Sequence, residues 1–178
     1  MIYKDFHYER LDLKKSKSIL NKIISDFKNA DSAKIQIEAI KEVDGFSREY
    51  MTYQAMASLN YSRDINDDSA KNEKDYYDSI SPDMREIYDR FDKALHQSKF
   101  KSEIIDMFGD TFLNQIEINL KTFDSKIKGM LKEEIELKNE YTELTAGAKI
   151  EFEGKEYNLA GLGPFHSNVN RSVRKESY

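Results

Sequence analysis

The sequence predicts a mainly all-α protein: an elongated antiparallel helical bundle around one long central helix, with a single small β-hairpin near residues 148–159. Three observations carry that expectation. The 178 residues include only 2 prolines and 7 glycines, so helices are seldom broken. Apolar residues recur at steps of three and four along most of the chain. The period switches to two only in KIEFEGKEYNL, at 149–159, where alternation reads as strand.

The elements follow in order. After YERLD, Asp12 can cap a helix over 13–29 whose apolar face is Leu20, Ile23, Ile24 and Phe27. Asp31 and Ser32 can cap a longer one, with Ile35, Ala39, Val43, Phe46, Tyr50, Tyr53, Ala57 and Tyr61 in a continuous stripe. A weaker set (Ile37, Ile40, Met51, Ala55, Leu59) lies roughly opposite, as on a helix contacted from two sides. Running from about 33 to 64, this helix would measure roughly 48 Å. A compact globule of this length would be about 40 Å across, hence the expected elongation.

NDDS at 66–69 opens a third helix to about Ser79. SPD at 81–83 then restarts the helix, with Ser81 as cap, Pro82 in the first turn and Asp83 facing the positive end of the dipole. Met84, Ile87, Tyr88, Phe91 and Leu95 form its buried face. A short amphipathic piece at 99–108 ends near Gly109, another helix covers about 111–123, and Asp124 and Ser125 recap the chain.

The last long helix, about 126–146, ends near Gly147. Its expected apolar face is Ile127, Leu131, Leu137, Tyr141 and Leu144, with Glu134 and Lys138 near the centre. Those two read as an i,i+4 pair, or as a polar contact aimed at a neighbouring domain. In the hairpin, Ile150 and Phe152 share a face, Gly154 and Lys155 turn the chain, EYNL returns, LGPF ends it, and NRSVRKESY begins a further helix. The expected division is a helical bundle at 1–146 and a hairpin junction at 147–178, one structural domain overall.

Composition excludes several functions. Net charge is -5 with Lys and Arg scattered among 33 acids, so there is no basic stripe for nucleic acid. Mean hydropathy is -0.76, no stretch has the length and apolarity of a membrane span, and MIYKDFHYER lacks the apolar core of a signal peptide. The cytoplasm is the expected compartment. With 0 cysteines, disulfides, thiolate ligands and a cysteine nucleophile are out.

The histidines His7, His96 and His166 make no i,i+4 pair, and no HExxH occurs. Acid pairs such as Asp67 with Asp68, or Glu133 with Glu134, are what chance provides in so acidic a chain. The tyrosine stripe (Tyr50, Tyr53, Tyr61, Tyr76, Tyr77) reads as core and bundle edge before it reads as a stacking platform. No catalytic, metal-binding or cofactor-binding residue is therefore expected, and substrate-channel residues are left unassigned.

Certain runs are nonetheless specific. YERLD, NEKDYYDSISPDMREIYDRF, SKFKSEIIDMFGDTF, LKTFDSKI, EYTELTAGAKIEFEGKEYNLAGLGPF and NRSVRKES occur in an order that resembles the N-terminal part of oligoendopeptidase F and the related Pz-peptidase, thimet-oligopeptidase-like zinc metallopeptidases. The resemblance covers essentially the whole chain. Leu11 departs from it, since the family often has proline there.

The resemblance implies a non-catalytic helical region of a cytoplasmic zinc metalloendopeptidase for short oligopeptides. Such a region packs on its own C-terminal catalytic domain and walls the substrate channel. Zinc is expected in that catalytic domain, which carries the HExxH helix missing here, and the stop at Tyr178 inside an incipient helix is read as truncation. The alternative is a free-standing helical interaction module without enzymatic activity. No nucleic-acid or membrane partner is expected. A long helix, a hairpin and a short terminal helix without visible partners suggest exposed apolar surface and self-association of the isolated chain.

Overall fold

The computed structural model describes residues 8–178, so His7 lies outside the described residues. The chain is mainly all-α with one small antiparallel sheet, and the order is α1 (Leu13–Asn29), α2 (Ala33–Arg63), α3 (Asp68–His96), α4 (Lys101–Phe108), α5 (Asp110–Thr122), a 3-10 turn (Ser125–Ile127), α6 (Lys128–Ala146), β1 (Ile150–Phe152), β2 (Lys155–Tyr157), α7 (Leu159–His166) and α8 (Arg171–Glu176). It divides into two compact units, one reaching Lys132 and one from Glu133 to Tyr178.

In the first unit α1, α2 and α3 pack on one another, α5 lies on α3, and α4 lies on α2 and α5. Asp12 caps α1 as expected, accepting from the Lys15 N–H at 3.0 Å. Leu20, Ile23, Ile24 and Phe27 are buried, and Phe27 meets Phe91 of α3 edge to face at 5.2 Å. Such pairs add to plain apolar burial.

The stripe of α2 is shifted at its start. Ser32 stands at the cap position but its side chain makes no cap bond. Ile35 is 44% exposed and Gln36 is buried instead. Gln36 can afford burial because both ends of its amide are satisfied: Nε2 donates to the Phe27 carbonyl at 3.0 Å and Oε1 accepts from Ser98 Oγ at 2.5 Å. Ala39, Val43, Tyr50, Ala57 and Tyr61 are buried as expected. Of the opposite set Ile40 is buried, whereas Met51 and Leu59 are exposed. The helix is therefore covered on two sides only toward its N-terminal half.

α3 corrects the expected restart at Ser81. The helix runs through Pro82 without interruption. Proline in a helix interior forfeits one backbone bond and crowds the carbonyl four residues back, but the Pro82 ring is fully buried, so packing offsets that loss. The true start is capped by Asp67, which accepts from Ser69 and Ala70 N–H groups at 2.9 and 3.1 Å. Asp83, assigned to a helix start, instead joins three elements. It receives Lys17 of α1 at 3.2 Å and also Lys128 at the start of α6, which reaches Glu86 at 2.8 Å.

The second unit differs most from expectation. α6 has no buried residue; Leu137, Tyr141 and Leu144 are 58%, 68% and 74% exposed. The hairpin pairs Ile150 with Tyr157 and Phe152 with Lys155, so the turn is Glu153–Gly154 rather than Gly154–Lys155. Both turn residues have positive φ, 49° and 72°, which matches the twist of the flanking strands. Leu159 does not extend the strand; with LGPF it forms α7, capped by Asn158 on the Gly161 N–H at 2.8 Å. Two glycines and a proline hid this helix. Phe165 of α7 packs against Phe152 at 4.9 Å and Tyr157 at 5.2 Å, so the hairpin has a partner within the chain.

Candidate functional site

Tyrosines of α2 and α3 hold the segment that precedes α1. Tyr8 donates to Glu73 Oε2 at 2.5 Å, and Arg10 grips both oxygens of Glu73, with Nε at 3.1 and 3.0 Å and Nη2 at 2.5 Å. Its guanidinium also lies 4.7 Å from the Tyr76 ring centre. Tyr76 donates to the Leu11 carbonyl at 2.5 Å, and the Leu11 N–H donates to Tyr77 Oη at 3.2 Å. Tyr53 meets Tyr8 edge to face at 5.8 Å. These side chains bind their own chain, which favours the structural reading of the stripe.

The electrostatics agree. Hydrogen bonds from Arg10 hold the Glu73 carboxyl below its ordinary range. Burial pushes the Tyr8, Tyr50 and Tyr77 hydroxyls up, so none is disposed to ionise. A cleft of about 390 Å³ beside this segment is lined by Arg10, Lys15, Phe46, Glu49 and Tyr53, among others. Its hydroxyls are engaged within the chain: Tyr53 donates to Glu49 Oε1 at 3.3 Å and Ser16 to the Asp12 carbonyl at 2.6 Å.

At the other end of α3, His96 is exposed and shares an open cleft with Asp110 and Glu117. His166 donates its Nε2–H to the Ser177 carbonyl at 2.8 Å and stacks on Tyr178. Among the described residues no three of His, Asp and Glu stand where they could share a metal ion. The described residues therefore do not fit a zinc ion. Asp67 is a helix cap, and Glu134 pairs with Lys138 at 2.5 Å on the solvent side of α6. Among the described residues no helix is long and apolar enough to cross a membrane.

One pair of groups stands apart. Asp92 on α3 accepts from Asn119 Nδ2 of α5 at 3.2 Å. Burial pushes its carboxyl up to about 6, against the pull of Asn119 and Arg85, with Asp89 adding repulsion. It joins two helices and faces no cleft described above.

A family model of the Peptidase M3 N-terminal domain matches residues 3–123. The chain belongs to that family. The solved structures similar to this M3 N-terminal domain extend the likeness through the second unit. A structure described as an oligoendopeptidase F shares 33% identity at a TM-score of 0.94, covering 99% of this chain and 31% of its own. Pz peptidase A with an inhibitor shares 32% at 0.94, with 31% of its own chain covered. An oligoendopeptidase F from Bacillus anthracis strain Ames shares 29% at 0.93, with 32% covered. The chain thus spans about a third of the length of these proteins. No curated protein matches it significantly.

Sequence reasoning located the tyrosines but missed what they hold. YERLD carries the only visible signal, a tyrosine and an arginine two residues apart, and their partner Glu73 lies more than sixty positions away. Lys128 was equally silent, since its two acids sit on α3.

Proposed function

We propose that this M3 domain is the non-catalytic N-terminal helical region of a cytoplasmic zinc metalloendopeptidase that hydrolyses short oligopeptides. It packs on the catalytic portion of the same polypeptide and contributes to the wall of the substrate channel. The observation that carries the reading is the fit of 99% of this chain onto 31% of an oligoendopeptidase F at 33% identity. In that reading the zinc and the water-activating glutamate belong to the other portion.

The test compares the 178-residue chain with the complete reading frame, each assayed on a quenched fluorescent oligopeptide with and without a chelator. The complete protein is expected to cleave in a chelator-sensitive manner and the chain alone to be inert. Zinc-dependent turnover by the chain alone would overturn the reading.

A second reading, a free-standing helical interaction module, draws on the bare face of α6. A stop codon directly after codon 178 would favour it; an open frame reaching an HExxH would exclude it. Under either reading the isolated chain is expected to self-associate through Met51, Ala55 and Leu59 on α2. Residues 50–62 there contain no charged side chain to oppose a second copy.

A further inference from the structure

Within the second unit α6 presents two unlike sides. Leu137, Tyr141 and Leu144 fall within roughly 60° of arc at about 100° per residue, and all three are more than half exposed. Half-buried Ile135 and Asn139 lie on the opposite side. The two edges of the stripe also differ. One carries Glu133, Glu136 and Glu140, all exposed; the other carries the Glu134–Lys138 ion pair.

We infer that this stripe is a docking seam for an amphipathic helix that has an apolar face and one edge bearing Lys or Arg, supplied by the catalytic portion of the same polypeptide. The source rests on the reading under Proposed function; the chemistry rests on the stripe itself. Three large apolar groups in contact positions on one helix favour burial against a second helix. The acidic edge selects cationic neighbours and rejects anionic ones.

A second copy of this chain is a poor occupant. Packed antiparallel, two such helices would set their Glu133, Glu136 and Glu140 edges against each other. Packed parallel, that edge would meet a Lys138 already engaged by Glu134. The same acidity disfavours nucleic acid and anionic membrane surfaces.

The test uses the 178-residue chain and two synthetic helical probes with the same leucine seam, one with a lysine edge and one with a glutamate edge, followed by fluorescence anisotropy. The lysine-edged probe is expected to bind at least about tenfold more tightly, with affinity falling as salt rises. Leu137→Ser with Tyr141→Ser should weaken that binding about tenfold while leaving the circular dichroism unchanged, because both side chains are already exposed. Glu133→Lys, Glu136→Lys and Glu140→Lys together should reverse the preference toward the glutamate-edged probe. A merely structural role would not produce that reversal.

Equal binding of the two probes, no binding, or an unreversed preference in the triple variant would overturn the seam. So would a dimer of the chain that the Leu137 and Tyr141 changes abolish. A complete reading frame without HExxH would instead overturn the source and the proposed peptidase role together, leaving the edge preference standing.

Discussion

Tyr77 is fully buried, yet its hydroxyl accepts the Leu11 N–H. Tyr77→Phe keeps the ring and strands that donor, and a loss of about 1–3 kcal/mol in denaturant unfolding is expected. Asp92 offers a test by pH. Its folded value of about 6 exceeds the unfolded value near ~4, so the folded chain binds the extra proton between the two. Its contribution is fully present below about pH 4 and is lost as pH rises through about 6. Asp92→Asn should flatten the fall in stability over that window, read as melting temperature against pH. Glu73 and Asp83, both held below their ordinary range, act in the opposite sense; their contributions are present above about pH 4 and lost as pH falls through their lowered values. At this scale little was legible beforehand. The stripe reading placed Ile35 inward because periodicity weighs apolarity alone. Gln36 took the position because two distant groups, the Phe27 carbonyl and the Ser98 hydroxyl, happened to satisfy it.

Elements were more legible where a local cap and a continuous stripe agreed. α1 runs over the anticipated residues because Asp12 and the Leu20 to Phe27 face specify the same helix. α3 was divided because Pro82 within SPD is also a good helix start, and only the burial of its ring decides for continuity. α7 was missed for the converse reason: local signals in LAGLGPF oppose a helix, while Phe165 is held by Phe152 and Tyr157. The hairpin was found but its turn was displaced by one residue, since EGK admits either pair. Gly154 sits at φ 72°, so Gly154→Ala should cost about 1 kcal/mol and Gly154→Asn clearly less. Hydrogen exchange of the β2 amides would rank the two. Gly147 has a different constraint. A Cβ there would come within 2.9 Å of the Glu143 carbonyl, so Gly147→Ala should disturb the exit from α6 more than Gly129→Ala, which meets nothing, disturbs its start.

For the whole molecule the division falls inside α6, a helix that buries none of its residues. Its first residue is tied down by the pair of acids that Lys128 reaches, and beyond it few contacts resist local opening. Limited trypsin digestion is expected to cut first after Lys132 or Lys138, releasing the three-helix core intact; first cuts within α1 to α3 would contradict the assigned burial. The mainly helical class was legible from composition and period. The division was not, because an amphipathic pattern cannot say whether its apolar face has found a partner in the same chain. Leu20, Phe27, Tyr77, Met84, Leu95 and Ile104 are, with Pro82, the largest side chains fully withdrawn from water among the described residues, and all are translated before α5 begins. Helices that neighbour one another in sequence close short loops and assemble quickly. The core of α1 to α3 can therefore form while the ribosome is still adding α6, so that any catalytic portion encoded later would emerge beside a finished surface.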